Sequence, residues 1–126
     1  MKLFEPIKIG NVELKNRVIM APMENGMAEV GTGEVTNRII AFFEERAQHN
    51  IAMIMPGSIG VSPEGRGLPT QLSLFDEKQV AGHKRLVDAI HSKGSLVAAQ
   101  LYHAGRQASE AITGLDPLAP SAIPCG

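Results

Sequence analysis

The sequence predicts an α/β protein built on a parallel sheet, and three observations carry that prediction. Apolar runs at residues 18–21, 51–55 and 96–99 lack polar alternation, as strands buried on both faces do. Amphipathic helical stretches separate them. The connections are also long enough for the crossover helices that parallel pairing requires.

The elements follow in order. Ile7-Lys8-Ile9 and Val12-Glu13-Leu14 alternate apolar and polar around Gly10-Asn11. A glycine first in a two-residue loop predicts a hairpin with a type II′ turn. Since it precedes the first buried strand, it is expected to act as a lid over the amino-terminal end of the sheet. Val18 to Ala21 forms that strand, and Pro22 stops it by removing a ladder donor and constraining the residue before it. Residues 23–26 then lie at the carboxyl end of a strand, where parallel α/β folds bind ligands.

Thr36 is the expected N-cap of a first helix, with Ile39, Ile40, Phe42, Phe43 and Ala47 at helical spacing and Asn50 as its end. The second strand, residues 51–55, stops at Pro56-Gly57. A Gly- and Pro-rich loop is expected from 58 to 73. Asp76 and Gln79 form a capping box for the second helix, with Phe75 and Val80 as its hydrophobic staple. Its apolar face is expected to run through Val80, Leu86, Val87 and Ile90, and Gly94 supplies the stop. The third strand begins at Leu96 and closes with Gln100-Leu101. The remainder, 102–126, reads as loop with at most one helical turn near 107–111.

Composition bounds the function. The 126 residues suffice for one domain, and 44% apolar with 20% charged is ordinary for a globular chain. A net charge of −1 and a pI near 6.4 point neither to nucleic acid nor to an anionic membrane as partner. The lone Cys125 excludes an intrachain disulfide and fits a reducing compartment. No run approaches the ~18 apolar residues of a membrane span, and the N-terminus lacks the apolar core of a signal peptide. A cytoplasmic location is expected. His49, His83 and His91 have no metal-ligand spacing, so no metal site is assigned.

Right-handed connections place both helices on one face of a sequentially ordered sheet, leaving the other face bare and both edges open. A closed (β/α)8 barrel, which needs ~250 residues, removes both faults. Neither Gly-x-Gly-x-x-Gly nor a P-loop is present to support a doubly wound nucleotide-binding domain. The expected fold is therefore the N-terminal portion of a TIM barrel: hairpin lid, then three parallel strands and two helices, with residues 1–126 an incomplete segment.

Several stretches carry a resemblance. Leu3-Phe4-Glu5-Pro6-Ile7, Leu14-Lys15-Asn16-Arg17-Val18-Ile19-Met20-Ala21-Pro22-Met23 and Ala99-Gln100-Leu101-Tyr102-His103-Ala104-Gly105-Arg106 resemble the old yellow enzyme family. So do Phe43-Glu44-Glu45-Arg46-Ala47 and Ala119-Pro120-Ser121-Ala122. The chain looks most similar to the branch of bacterial 2,4-dienoyl-CoA reductase and related NADH oxidases.

The resemblance implies a barrel that holds FMN at its strand ends and passes hydride from NADH or NADPH through flavin N5 to an activated C=C bond of a small-molecule substrate. A non-catalytic flavin-binding module that assembles into a larger barrel is the alternative, with self-association through the open sheet edges. An iron–sulfur cluster and FAD are expected only in a longer parent. By resemblance, Ala21, Pro22 and Met23 match the main-chain segment along the isoalloxazine near N5 and O4. Ser58, beside Gly57, matches the small residue whose backbone approaches the flavin. Gln100 matches the glutamine that bonds the pyrimidine edge, and a carboxamide has the donor and acceptor this edge requires.

Glu24 departs from the family, which often places Thr, Cys or His there. A carboxylate disfavours anionic reduced flavin unless protonated or turned away. Glu24 is expected to face solvent or accept a backbone donor, with an altered redox preference as the alternative. His103 and Arg106 read as packing and ion-pair residues ahead of ligand contacts. Tyr102 does not match the proton-donating tyrosine. That tyrosine, the His-x-x-Asn or His-x-x-His substrate-anion pair and the phosphate-binding loops are expected beyond residue 126, which leaves the catalytic residues unassigned.

Overall fold

The computed structural model describes residues 1–123 and 125. In chain order the strands are β1 (Ile7–Ile9), β2 (Val12–Leu14), β3 (Ile19–Met20), β4 (Met53–Ile54), β5 (Ser58–Gly60), β6 (Leu72–Ser73), β7 (Leu96–Val97) and β8 (Gln100–Tyr102). The helices are α1 (Asn37–Ala47), α2 (Glu77–Ser92) and the short α3 (Glu110–Thr113), with 3-10 turns at Lys2–Phe4 and Gly105–Gln107.

The hairpin forms as expected: β1 and β2 pair antiparallel with Ile9 opposite Val12, and Gly10 takes φ +58° in the two-residue turn. Its exit reaches the amino end of a parallel sheet ordered β3-β4-β7. Buried Asn16 fastens that end, donating to the Asn50 carbonyl at 2.7 Å and accepting from the Val18 N–H at 2.9 Å. Buried Ser95 donates to the Ile51 carbonyl at 2.6 Å, tying the start of β7 to the strand beside it.

The sheet is buried on one face only, which corrects the expectation for its first strand. Met20, Ile54 and Val97 share a row that packs against the helices, together with Ile39, Phe43, Ala47, Leu86 and Ile90. Ile19 points the opposite way and is 38% exposed. A continuous apolar run marks both faces as apolar, but in the described residues the helices cover only one. In a closed barrel the other face looks inward onto further strands.

Two boundaries also change. The second run does not end for good at Pro56-Gly57; the chain resumes as β5, and the expected 58–73 loop contains β5 and β6. The third run divides into β7 and β8 at Ala98-Ala99. The second sheet, ordered β6-β5-β8, is again entirely parallel. Its strands are only two or three residues long, so periodicity does not reveal them.

Helix α1 starts at the Thr36 cap, whose hydroxyl accepts from the Ile39 N–H at 3.3 Å. It ends at Ala47, ahead of Asn50, which instead turns the chain at φ +60°. Helix α2 has the expected capping box, and Gly94 leaves it at φ +74°. Val80 lies outside its buried face, half exposed. Gln79 replaces it, buried, and its amide donates to the Thr32 carbonyl at 2.7 Å. One side chain thus caps α2 and ties it to the loop before α1. The C-terminal stretch has two short helical pieces in place of one turn at 107–111, and the loop expected at 124 and 126 lies outside the described residues.

Candidate functional site

Pro22 takes the chain out of the sheet directly after β3, and the Met55 N–H to Met20 carbonyl bond (3.1 Å) is the rung beside that exit. Residues 21–24 therefore lie just beyond a carboxyl strand end. Ser58 opens β5 and stands in register with Gln100 of β8. Gly57 passes so close to the first loop that a Cβ there would lie 2.7 Å from the Met23 carbonyl oxygen. That approach is open to glycine alone. Glu24 reaches across the same gap, its Oε1 accepting from the Ser58 N–H at 2.6 Å and from the Ser58 hydroxyl.

Met23, Glu24, Ser58 and Gln100 are thus brought into one row across the strand ends, with Ala21 and Pro22 at its β3 margin. Glu24 accepts a backbone donor, as one limb of the sequence expectation held. The row carries open hydrogen-bonding capacity. Among the described residues, the main-chain N–H groups of Met23, Glu24, Asn25 and Gly26 donate to no group of the chain. Met23 is 61% exposed, and Gln100 is exposed with no hydrogen bond from its carboxamide among the described residues.

A buried residue that sequence reasoning missed supports the row. Gln71, 1% exposed, donates from Nε2 to the Ser58 hydroxyl at 2.6 Å and accepts the Gly67 N–H at 2.8 Å. Gly67 rests on Tyr102, whose hydroxyl oxygen would stand 3.1 Å from a Cβ at that position. Glu24, Ser58, Gly67, Leu68, Gln71 and Tyr102 enclose a cleft of about 280 Å³. No sequence signal marks Gln71, because a polar residue in a Gly- and Pro-rich stretch has no periodic neighbours. A larger hollow of about 530 Å³ lies on the helix side, at the starts of α1 and α2, and contains none of the strand-end residues.

Neither His103 nor Arg106 bonds to the row among the described residues. The His103 Nδ1 accepts the Gly105 N–H at 2.9 Å, and its Nε2 lies 3.6 Å from Glu64. The Glu64 carboxyl is held below the usual carboxylate range, first by its own backbone N–H, with His103 adding a weaker pull. Arg106 lines a separate hollow with Pro117, Ala119 and Ser121.

Residues 2–124 match the model of the NADH:flavin oxidoreductase / NADH oxidase family. The chain belongs to that family. It is 39% identical over 125 residues to an NADH oxidase of Thermoanaerobacter brockii, covering 98% of this chain and 19% of the relative. A metal reductase of Desulforamulus reducens is 42% identical over 123 residues, covering 97% of this chain and 18% of the relative. The chain thus spans about a fifth of the length of these curated relatives.

Among solved structures, the old yellow enzyme homologue of Zymomonas mobilis superposes with a TM-score of 0.90 at 33% identity. The match covers 98% of this chain and 34% of that one. The parallel strands and their covering helices are accordingly the N-terminal portion of an α/β barrel. Among the described residues, no helix is long and apolar enough to cross a membrane.

Proposed function

We propose that this protein is an FMN-dependent oxidoreductase and that the row from Ala21 to Glu24, with Ser58 and Gln100, is the seat of the isoalloxazine. The observation that carries this reading is the meeting of unpaired main-chain donors at residues 23–26 with an exposed carboxamide at Gln100. That donor set suits a planar ring with carbonyls and an N–H on one edge. Membership of the family supports the choice of flavin, and the NADH oxidase relative supports a nicotinamide as electron source.

When bound, FMN supplies hydride transfer from NADH or NADPH to an activated C=C bond, of enoate or dienoyl-CoA type. The chain's own residues bind and orient. Gln100 offers its N–H and C=O together to the pyrimidine edge. The N–H groups of residues 23–26 offer bonds to ring acceptors. Ala21 and Pro22 supply small apolar surface at the margin. Ser58, with its N–H engaged by Glu24, contributes small volume and no free donor.

Residues 1–126 act as the N-terminal segment of an FMN-binding barrel in this reading, and the proton donor and substrate-anion pair come from outside it. A second reading, a flavin-binding module without turnover that assembles into a larger barrel, is favoured by the exposed Ile19 and Leu101 and by the edges at β3 and β7.

Titrating the purified protein with FMN, followed by flavin fluorescence, tests the seat. The Gln100→Ala variant is expected to bind about tenfold more weakly, one hydrogen-bonded edge being lost. Unchanged affinity, or no preference for FMN over an adenine nucleotide, overturns it. Anaerobic oxidation of NADH and NADPH with an enone, by a whole barrel that contains this segment, then separates the readings. Turnover supports the oxidoreductase, whereas FMN binding without turnover and a mass that rises with concentration supports the module.

A further inference from the structure

We infer that Glu24 is a positioning residue: its carboxylate clips the Ser58 end of the second strand and, through Gln71, fixes the loop from 61 to 71 over the cleft. The inference rests on the flavin-seat reading for its consequence, but its geometry stands on the chain alone.

The hydrogen bonds form one directional chain. The Gly67 N–H donates to Gln71 Oε1 at 2.8 Å, and Gln71 Nε2 donates to the Ser58 hydroxyl at 2.6 Å. That hydroxyl has one proton and gives it to Glu24 Oε1, which also takes the Ser58 main-chain N–H at 2.6 Å. Each nitrogen and oxygen along the path has a partner, and flipping the Gln71 amide would set its NH2 against the Gly67 N–H. Gln71 is buried and cannot turn to water for a substitute partner. The atom that ends the path must accept twice, because Ser58 presents both of its donors to Oε1. A carboxyl oxygen meets that demand, and a carboxamide oxygen in its place would too.

The clip also depends on Gly57. A Cβ at this position would stand 3.1 Å from Glu24 Oε1 as well as 2.7 Å from the Met23 carbonyl oxygen. Substitution there pushes the loop of residues 23–24 away while leaving the carboxylate intact. Glu24 therefore acts on the seat by geometry. It withdraws the Ser58 donors and sets the height of the segment whose own N–H groups are open. A carboxylate directed at the ring would act by charge instead.

The two modes are separable with Glu24→Gln, Glu24→Ala and Gly57→Ala. In the apo protein, amide hydrogen exchange at Ser58 and Gly67 is expected to accelerate at least about tenfold in Glu24→Ala and Gly57→Ala. In Glu24→Gln it is expected to stay within about twofold of the parent, since the amide carbonyl keeps the Ser58 N–H bond. In the FMN-loaded protein, Glu24→Gln should keep the parent's midpoint potential and flavin absorption spectrum, and Glu24→Ala should shift both. Equal shifts in potential for Gln and Ala would mean direct action of the charge and overturn the inference. So would unchanged exchange in Glu24→Ala. If the parent binds no FMN while the exchange pattern holds, the clip stands and the flavin-seat reading falls.

Discussion

The two ends of the parallel sheet are fastened by different chemistry. At the amino end, buried Asn16 and Ser95 reach main-chain groups of residues 50 and 51. At the carboxyl end, Glu24, Ser58 and Gln71 bond mainly to one another, and the N–H groups of residues 23–26 remain open among the described residues. One end spends its polar side chains on the main chain; the other gathers them beside a run of open N–H groups. In α/β barrels the carboxyl ends are the reactive face and the amino ends the stabilising one. Position at the carboxyl strand ends, more than cleft volume, marks the site here.

The sharpest way to break this comparison is to damage the amino end alone. Asn16→Ala leaves the Val18 N–H and the Asn50 carbonyl without their partner and should cost ~1–3 kcal/mol of stability. Urea unfolding measures that loss, and FMN affinity should stay within about twofold. Gln100→Ala should do the reverse, with about tenfold weaker FMN binding (~1.4 kcal/mol). As a surface change it should move unfolding by no more than ~0.5 kcal/mol. If both variants move both quantities, the ends are not separable and the comparison fails.

Much of the helix-covered layer was legible in the sequence. Thr36, Asp76 and Gln79 announce helix starts because capping needs particular side chains at fixed offsets. Ile39, Phe43 and Ala47 announce a buried face by their spacing. The resemblance placed Ala21, Pro22, Met23, Ser58 and Gln100 at strand ends, and the fold brings them into one row. Other features were hidden for physical reasons. Strands β5 and β6 are too short for a period, and Gln71 matters only through partners 4 and 13 residues away. Val80 looked like core because its apolarity was visible and its direction was not. Val18 to Ala21 looked doubly buried because composition records what a face can bury, not what covers it.

The smallest expected effect concerns pH. His83 of α2 lies against the Ser73 carbonyl at 3.0 Å. Burial holds its pKa below the ordinary 6.5, and the Ser73 carbonyl opposes that shift in part. The unfolded chain then binds the proton more readily than the folded one. His83 therefore contributes stability that is fully present above pH 6.5 and is lost as pH falls through its lowered value. The urea midpoint should decline below pH 6.5, and His83→Gln should flatten that decline. An equal decline in the variant would assign the effect to other groups.

Amide hydrogen exchange of the protein with and without FMN reads the flavin seat residue by residue. FMN is expected to slow exchange at Met23, Glu24, Asn25 and Gly26, with Val18 and the strand starts at the amino end unchanged. Protection concentrated at the amino end or in the helix-side hollow, or none at residues 23–26 under saturating FMN, would contradict it.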